Sequence, residues 1–263
     1  MRTRFAPSPT GYLHLGHAAA AREAFGYAAA RGGECLLRVE DIDTVRCKPY
    51  FTQALYEDLR WLGFDWPQPV RVQSAHMGEY RAALESLRGR GLVYRCFKTR
   101  KDLPSGIYRG PDQPVSEAEA ARRMAAGEHA AWRLSMARAK DALGARFDDL
   151  SYTEAGQNSC ADLSGFGDEV LARKDIGVSY HLAVTHDDAC QNITHVVRGN
   201  DLRDMTPFHV LLQALMGWPV PEYYHHDLVL RPDGAKLSKR TSDTAIRALR
   251  EAGMSAQDML ASI

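Results

Sequence analysis

Short apolar runs of two different periods alternate along the first part of the chain. Thr3–Ala6 reads as a strand that stops at Pro7, and Pro7–Tyr12 as a loop. A helix is expected from about His17 to Arg31, ended by Gly32 and Gly33. Cys35–Val39 is apolar enough to be a buried strand, and Phe51–Leu62 and Met77–Leu87 repeat at helical spacing. This alternation predicts a parallel α/β sheet.

The pattern breaks from Phe97 to about Leu150, where Pro104, Gly106, Gly110, Pro111 and Pro114 crowd one loop. A helix opened by a Ser116–Glu119 capping box follows, and then the strand-like Ala130–Ser135. The alternation resumes with Tyr180–Val184, Ile193–Val197 and the helix Thr206–Met216, and a helix Thr244–Ala252 lies near the end. The chain is therefore expected to divide into a first half-sheet (1–96), an inserted α+β subdomain (97–150), a second half-sheet (151–240) and a short helical segment (241–263).

With 263 residues, 45% of them hydrophobic, the chain can bury a substantial core. Lysine plus arginine and aspartate plus glutamate both number 33, so a nucleic-acid partner should meet a local patch, not the whole surface. The five cysteines form no CxxC pair, which supports neither a disulfide framework nor a zinc ribbon. No apolar run resembles a signal peptide or a membrane span, and the cytoplasm is the expected location.

Two constellations carry candidate chemistry. In Arg4-Phe-Ala-Pro-Ser8-Pro-Thr-Gly11-Tyr-Leu-His14-Leu-Gly16-His17, a strand and a proline-bearing loop deliver two histidines to a helix start. Such an end offers unpaired backbone N–H groups and partial positive charge to a phosphate, and Gly16 lets a flat ring approach. The second is Lys236-Leu-Ser238-Lys239-Arg240. Alone, either is a satisfied surface pair or a solvated basic loop. Together they put phosphate-binding groups at both extremes of one α/β chain, whose ligands bind at the carboxyl ends of the strands.

The first constellation resembles the HIGH motif of class I aminoacyl-tRNA synthetases, and Lys236–Arg240 resembles their KMSKS loop. With Leu37–Asp43, Tyr180–Ala183 and Val197–Gly199, the chain looks like the glutamyl-tRNA synthetase group from Arg4 to about Arg240. The resemblance implies a Rossmann-type, doubly wound parallel sheet. It also implies ATP with Mg2+, with His14, Gly16, His17, Lys236, Ser238 and Lys239 at the nucleotide. The catalytic residues among these would be His14, His17, Lys236 and Lys239. L-Glutamate would be held by Arg4, Ser8, Glu40, Tyr180 and Arg198. For Asp41, Asp43, His181, His186, Asp187 and Asp188, capping, solvated charge or loop polarity is a cheaper reading than a metal site.

The chain ends soon after the KLSKR loop, without room for an anticodon-reading helical domain. That layout resembles glutamyl-queuosine tRNA(Asp) synthetases, which activate glutamate without tRNA and transfer it to queuosine in the anticodon loop of tRNA(Asp). By this resemblance the insertion would help hold the anticodon stem-loop, and the enzyme would act as a monomer. The family's zinc set, a CxC pair followed by a tyrosine and a further cysteine, is broken here: Lys98 follows Cys96, and Asp112 stands after Tyr108. Zinc is expected to be absent, leaving Trp132 and Tyr108 to anchor the insertion. The competing expectations are a short synthetase that charges a tRNA 3′ end and a catalytically silent glutamate- or RNA-binding paralogue.

Overall fold

The computed structural model describes residues 1–103, 106–111, 114–228 and 245–263. β1 (Arg2–Phe5) pairs in parallel with β2 (Glu34–Val39), from Arg2 opposite Glu34 to Phe5 opposite Leu37. β2 pairs in parallel with the short β3 (Arg71–Val72). The first crossover is α1 (Leu15–Ala29), whose Ala18, Ala21, Ala24 and Ala28 are all buried, so the small side chains let the helix sit close to the sheet. α1 stops because Gly32 takes φ of +63° and the Gly33 N–H turns back to the Ala28 carbonyl at 2.9 Å. The second crossover is α2 (Pro49–Trp61), with proline in its first turn.

α3 (Met77–Gly89) leads into the insertion, where β4 (Val93–Cys96), β5 (Ala131–Leu134) and β8 (Val170–Ala172) form an antiparallel sheet in that order. Two of its strands lie outside the 97–150 stretch. α4 (Glu117–Ala125) is capped by Ser116, whose hydroxyl accepts the Glu119 N–H at 3.1 Å. α5 (Met136–Leu143) follows β5 directly. Buried Asp168 ties these parts together: Oδ2 accepts from the Tyr94 hydroxyl and the Gly110 N–H, each at 2.8 Å, and Oδ1 accepts the Met136 N–H at 2.9 Å.

The second half-sheet runs β7 (Gln157–Cys160), β6 (Ser151–Glu154), β10 (Glu222–His226), β9 (His195–Gly199), all parallel except the edge strand β7. β9 lies beside β1, where the Thr194 N–H reaches the Arg2 carbonyl at 3.0 Å and the Arg2 N–H reaches Thr194 Oγ1 at 2.8 Å. The two half-sheets thus meet at β1 and β9, and the carboxyl ends of these two strands open one crevice. α7 (Thr206–Met216) is apolar and buried on most sides, packing between this sheet and the insertion. α8 (Ile246–Glu251) and α9 (Ala256–Ala261) return to the first half, with Ile246 and Met259 buried among Leu13, Leu55 and Leu59.

One expected strand is a helix. Tyr180–Val184 opens α6 (Tyr180–Cys190), started by Ser179, whose hydroxyl accepts the Leu182 N–H at 3.3 Å. α6 is buried on several faces, so its apolar residues run together and its helical period is masked. Thr244, and the Lys236–Arg240 loop, lie outside the described residues.

Candidate active site

A cavity of about 510 Å³ opens at the carboxyl ends of β1 and β9. Arg4, Ser8, His14, Gly16, His17, Glu40, Tyr180 and Arg198, all expected at the site, line it together. Lys236, Ser238 and Lys239 fall outside the described residues. The residues flanking that segment do meet the site: Leu228 lines the cavity and Ala245 forms an antiparallel bridge with His14. The Ile246 N–H also bonds the Leu13 carbonyl at 2.8 Å.

The start of α1 differs from an open helix end. His14 has extended backbone, so its ring folds back and Nδ1 accepts the Gly16 N–H at 3.2 Å, while His17 Nδ1 accepts the His14 N–H at 3.2 Å. The His17 and Ala18 N–H groups bond the His14 carbonyl. These backbone donors are therefore already used, contrary to the expectation of bare N–H groups. Both imidazoles accept at Nδ1, so each must carry its proton on Nε2. The cap thus offers ring N–H donors in place of backbone N–H groups, with the helix's partial positive charge behind them.

One side of the cavity rests on a buried charge network. Asp188 Oδ1 accepts from Arg4 Nε at 3.0 Å and from Arg38 Nη2 at 2.7 Å. Arg38 Nη1 also donates to Gln191 Oε1 at 3.1 Å, and Arg38 Nε stands 3.5 Å from Glu40 Oε1. Burial pushes the Glu40 carboxyl up to about 7, against the pull of Arg38 and Arg4. Burial, with Glu40 beside it, also raises the Tyr180 hydroxyl, which stays a protonated donor. Arg4 spends Nε on Asp188 and Nη1 on the Val197 carbonyl at 3.4 Å; among the described residues its Nη2 has no hydrogen-bond partner.

Arg198 is held differently. Its Nε donates to His225 Nε2 at 3.2 Å, Nη1 to His209 Nδ1 at 3.2 Å, and Nη2 to Thr206 Oγ1 at 2.7 Å and the Leu202 carbonyl at 3.1 Å. Among the described residues it makes no ion pair, although it is buried. Arg4 and Arg38 are thus paired with Asp188, whereas Arg198 has no carboxylate partner among the described residues; Glu40 and the exposed Asp201 are the carboxylates that line the cavity itself.

Sequence reasoning missed Arg38, Thr206, His209 and His225, and it misjudged Asp187 and Asp188. These two acids are neither solvated nor on a loop. They sit in α6, and Asp187 accepts from Tyr80, Gln73 and Arg71 at 2.8–3.0 Å. The available signal was the arginines of β1 and β2: a buried strand carrying Arg4 or Arg38 requires buried acids opposite. Asp41 accepts from the Ser74 N–H and hydroxyl, and Asp43 pairs with Arg46.

In the insertion, Cys96 Sγ lies 3.9 Å from the Tyr108 hydroxyl, and the Lys98 ammonium sits 5.3 Å from the Tyr108 ring centre. Trp132 packs against the main core with the Arg95 guanidinium 4.6 Å from its ring centre. No group of three or more His, Cys, Asp or Glu placed to hold a metal ion occurs among the described residues, nor does a helix long and apolar enough to cross a membrane.

A half-sheet pair with histidines at the first crossover and a charged pocket at the switch point is the catalytic architecture of a class I tRNA synthetase. The family model "tRNA synthetases class I (E and Q), catalytic domain" matches residues 1–263, and the chain belongs to that family. It is an enzyme of the class I synthetase type. It is 44% identical to a glutamyl-Q tRNA(Asp) synthetase of Rhodobacter capsulatus, over 98% of each chain. It is 36% identical to a glutamate–tRNA ligase of Aquifex aeolicus, covering 96% of this chain but 54% of that protein. Among solved structures, a glutamate tRNA ligase of Elizabethkingia meningosepticum in complex with its amino acid superposes with a TM-score of 0.74 at 28% identity, over 97% of this chain and 53% of that one. The chain thus spans about half the length of these ligases. A methionyl-tRNA synthetase of Mycobacterium tuberculosis shares the fold, with a TM-score of 0.62 at 10% identity.

Proposed function

We propose that this enzyme uses ATP to convert L-glutamate to glutamyl-adenylate without tRNA, and then transfers glutamate to queuosine in the anticodon loop of tRNA(Asp). The observation that carries the amino-acid assignment is buried Arg198, whose positive charge has no carboxylate partner among the described residues. Glutamate brings a side-chain carboxylate that can pair with this guanidinium and an α-ammonium that can meet Glu40. Glutamine, net neutral, would leave that charge unanswered.

In this reading Arg198 and Arg4 hold the side-chain carboxylate, and Glu40 takes the α-ammonium with the Tyr180 hydroxyl and Ser8 beside it. The α-carboxylate, ionised without any base, attacks the α-phosphorus of ATP, forming a C–O–P bond while pyrophosphate leaves. His14 and His17 donate Nε2–H to the phosphates near Gly16, and Lys236, Ser238 and Lys239 would hold the departing pyrophosphate. Magnesium enters with the nucleotide. The likeness to the Rhodobacter capsulatus protein, nearly equal in span, supports queuosine as the acceptor over a tRNA 3′ end.

The test is glutamate-dependent ATP–pyrophosphate exchange without tRNA, followed by transfer of labelled glutamate to tRNA(Asp) with and without queuosine. Exchange together with queuosine-dependent transfer is expected. Equal charging of both tRNAs would favour the 3′-end synthetase, and no exchange with or without tRNA would favour a silent paralogue.

A further inference from the structure

The groups around Arg198 share a property that its hydrogen-bond directions impose. Arg198 Nε–H donates to His225 Nε2, so His225 must carry its proton on Nδ1, which faces Glu154 Oε1 at 2.8 Å. Arg198 Nη1–H donates to His209 Nδ1, so the His209 proton lies on Nε2, 3.0 Å from His181 Nδ1. A second proton on either ring would face a guanidinium N–H at the atom that now accepts from it. Both imidazoles are thereby held neutral, and Thr206 and the Leu202 carbonyl are neutral as well. Burial and the Arg198 charge push His209 well below its ordinary range and His181 down to about 4. The nearest acid in the chain of contacts, Glu154, is one imidazole away and already paired with Arg203.

Arg4, in contrast, is fixed by a carboxylate, Asp188. Four neutral acceptors can orient a guanidinium as firmly as an acid can, but only an acid would cancel its charge. We infer that His209, His225 and Thr206 are specificity-determining positioning residues: they aim Arg198 into the pocket while leaving its charge to an anionic side chain, so the site prefers a carboxylate to an amide. This rests on the glutamate reading above.

The test adds one carboxylate to the cradle. Thr206 is the first residue of α7, where a helix N-terminus accommodates an acid, so Thr206→Asp places a negative group beside Arg198 Nη2 at little structural cost. Titration calorimetry of the full chain with L-glutamate and L-glutamine is paired with pyrophosphate exchange. Thr206→Asp should weaken glutamate on the order of tenfold or more, leave glutamine unchanged or tighter, and leave KM for ATP in place. His209→Gln, a neutral acceptor, should keep the ratio of the two amino acids.

Equal weakening of both amino acids in Thr206→Asp, an unchanged ratio, or a ratio that collapses as far in His209→Gln would overturn the cradle while the glutamate reading stands. If Thr206→Asp does not fold, His209→Glu reads the same ratio. A wild-type chain that binds neither amino acid would overturn the glutamate reading and this proposal with it.

Discussion

Asp188 and Arg38 form a buried ion pair, Oδ1 to Nη2 at 2.7 Å, and the same carboxylate oxygen also fixes Arg4. One acid in α6 thereby orients arginines from two adjacent strands, one of which lines the cavity while the other stands behind Glu40. Asp188→Asn keeps the shape but leaves two buried guanidinium groups short of charge. Urea unfolding should show a loss of about 3–5 kcal/mol. KM for glutamate should rise more than KM for ATP, because Arg4 and Glu40 both depend on the pair. Equal changes in the two KM values would refute the link.

Glu40 sets the expected pH dependence. Burial raises its carboxyl to about 7, and Arg38, Arg4, Asp188 and Asp187 are the charged groups around it, the arginines pulling it down and the acids pushing it up. The α-ammonium needs the ionised form, so kcat/KM for glutamate should fall about tenfold per pH unit below about 7 and flatten above it. At saturating glutamate the limb should move to lower pH, since the bound ammonium favours the carboxylate. Glu40→Gln should abolish the limb; a pyrophosphate-exchange profile that keeps it would assign it elsewhere.

Asp187 contributes to acid stability. Burial alone would raise its carboxyl, but His186, Arg38, Gln73 and Arg71 outweigh it and hold it at about 2, below the ordinary 3.8. A depressed carboxyl stabilises the fold above its unfolded value, and that stability is lost as pH falls from about 4 through about 2. The lost amount is roughly 2 kcal/mol. Chemical denaturation across this window should show the slope in the wild type and a smaller one in Asp187→Asn.

The two histidines at α1 have structural and chemical parts that can be separated. His17→Ala removes the acceptor for the His14 N–H and should cost ~1 kcal/mol of stability. It should lower exchange about a hundredfold, far more than the fold is weakened. Loss of activity only in proportion to unfolded protein would mean that His17 is merely a cap.

Local pattern was enough for much of this molecule. The βαβ alternation, the loop from Pro7 to Tyr12 and the full extent of α7 are carried by neighbouring residues, because helix period, proline and glycine act over a few positions, whereas the glutamate-pocket candidates rest on the resemblance of several short motifs to a family. α6 was misread for the same reason: a helix buried on several faces loses its periodicity. What the chain order could not express is pairing at a distance. Arg4 and Asp188 are 184 positions apart, and Arg198 meets His225 from another strand. Which arginine keeps its charge and which is neutralised, and which histidine nitrogen holds a proton, follow from burial and from partners delivered by β1, α6, α7 and β10. A charge's worth depends on its dielectric surroundings and counter-charges, and only the folded arrangement supplies both.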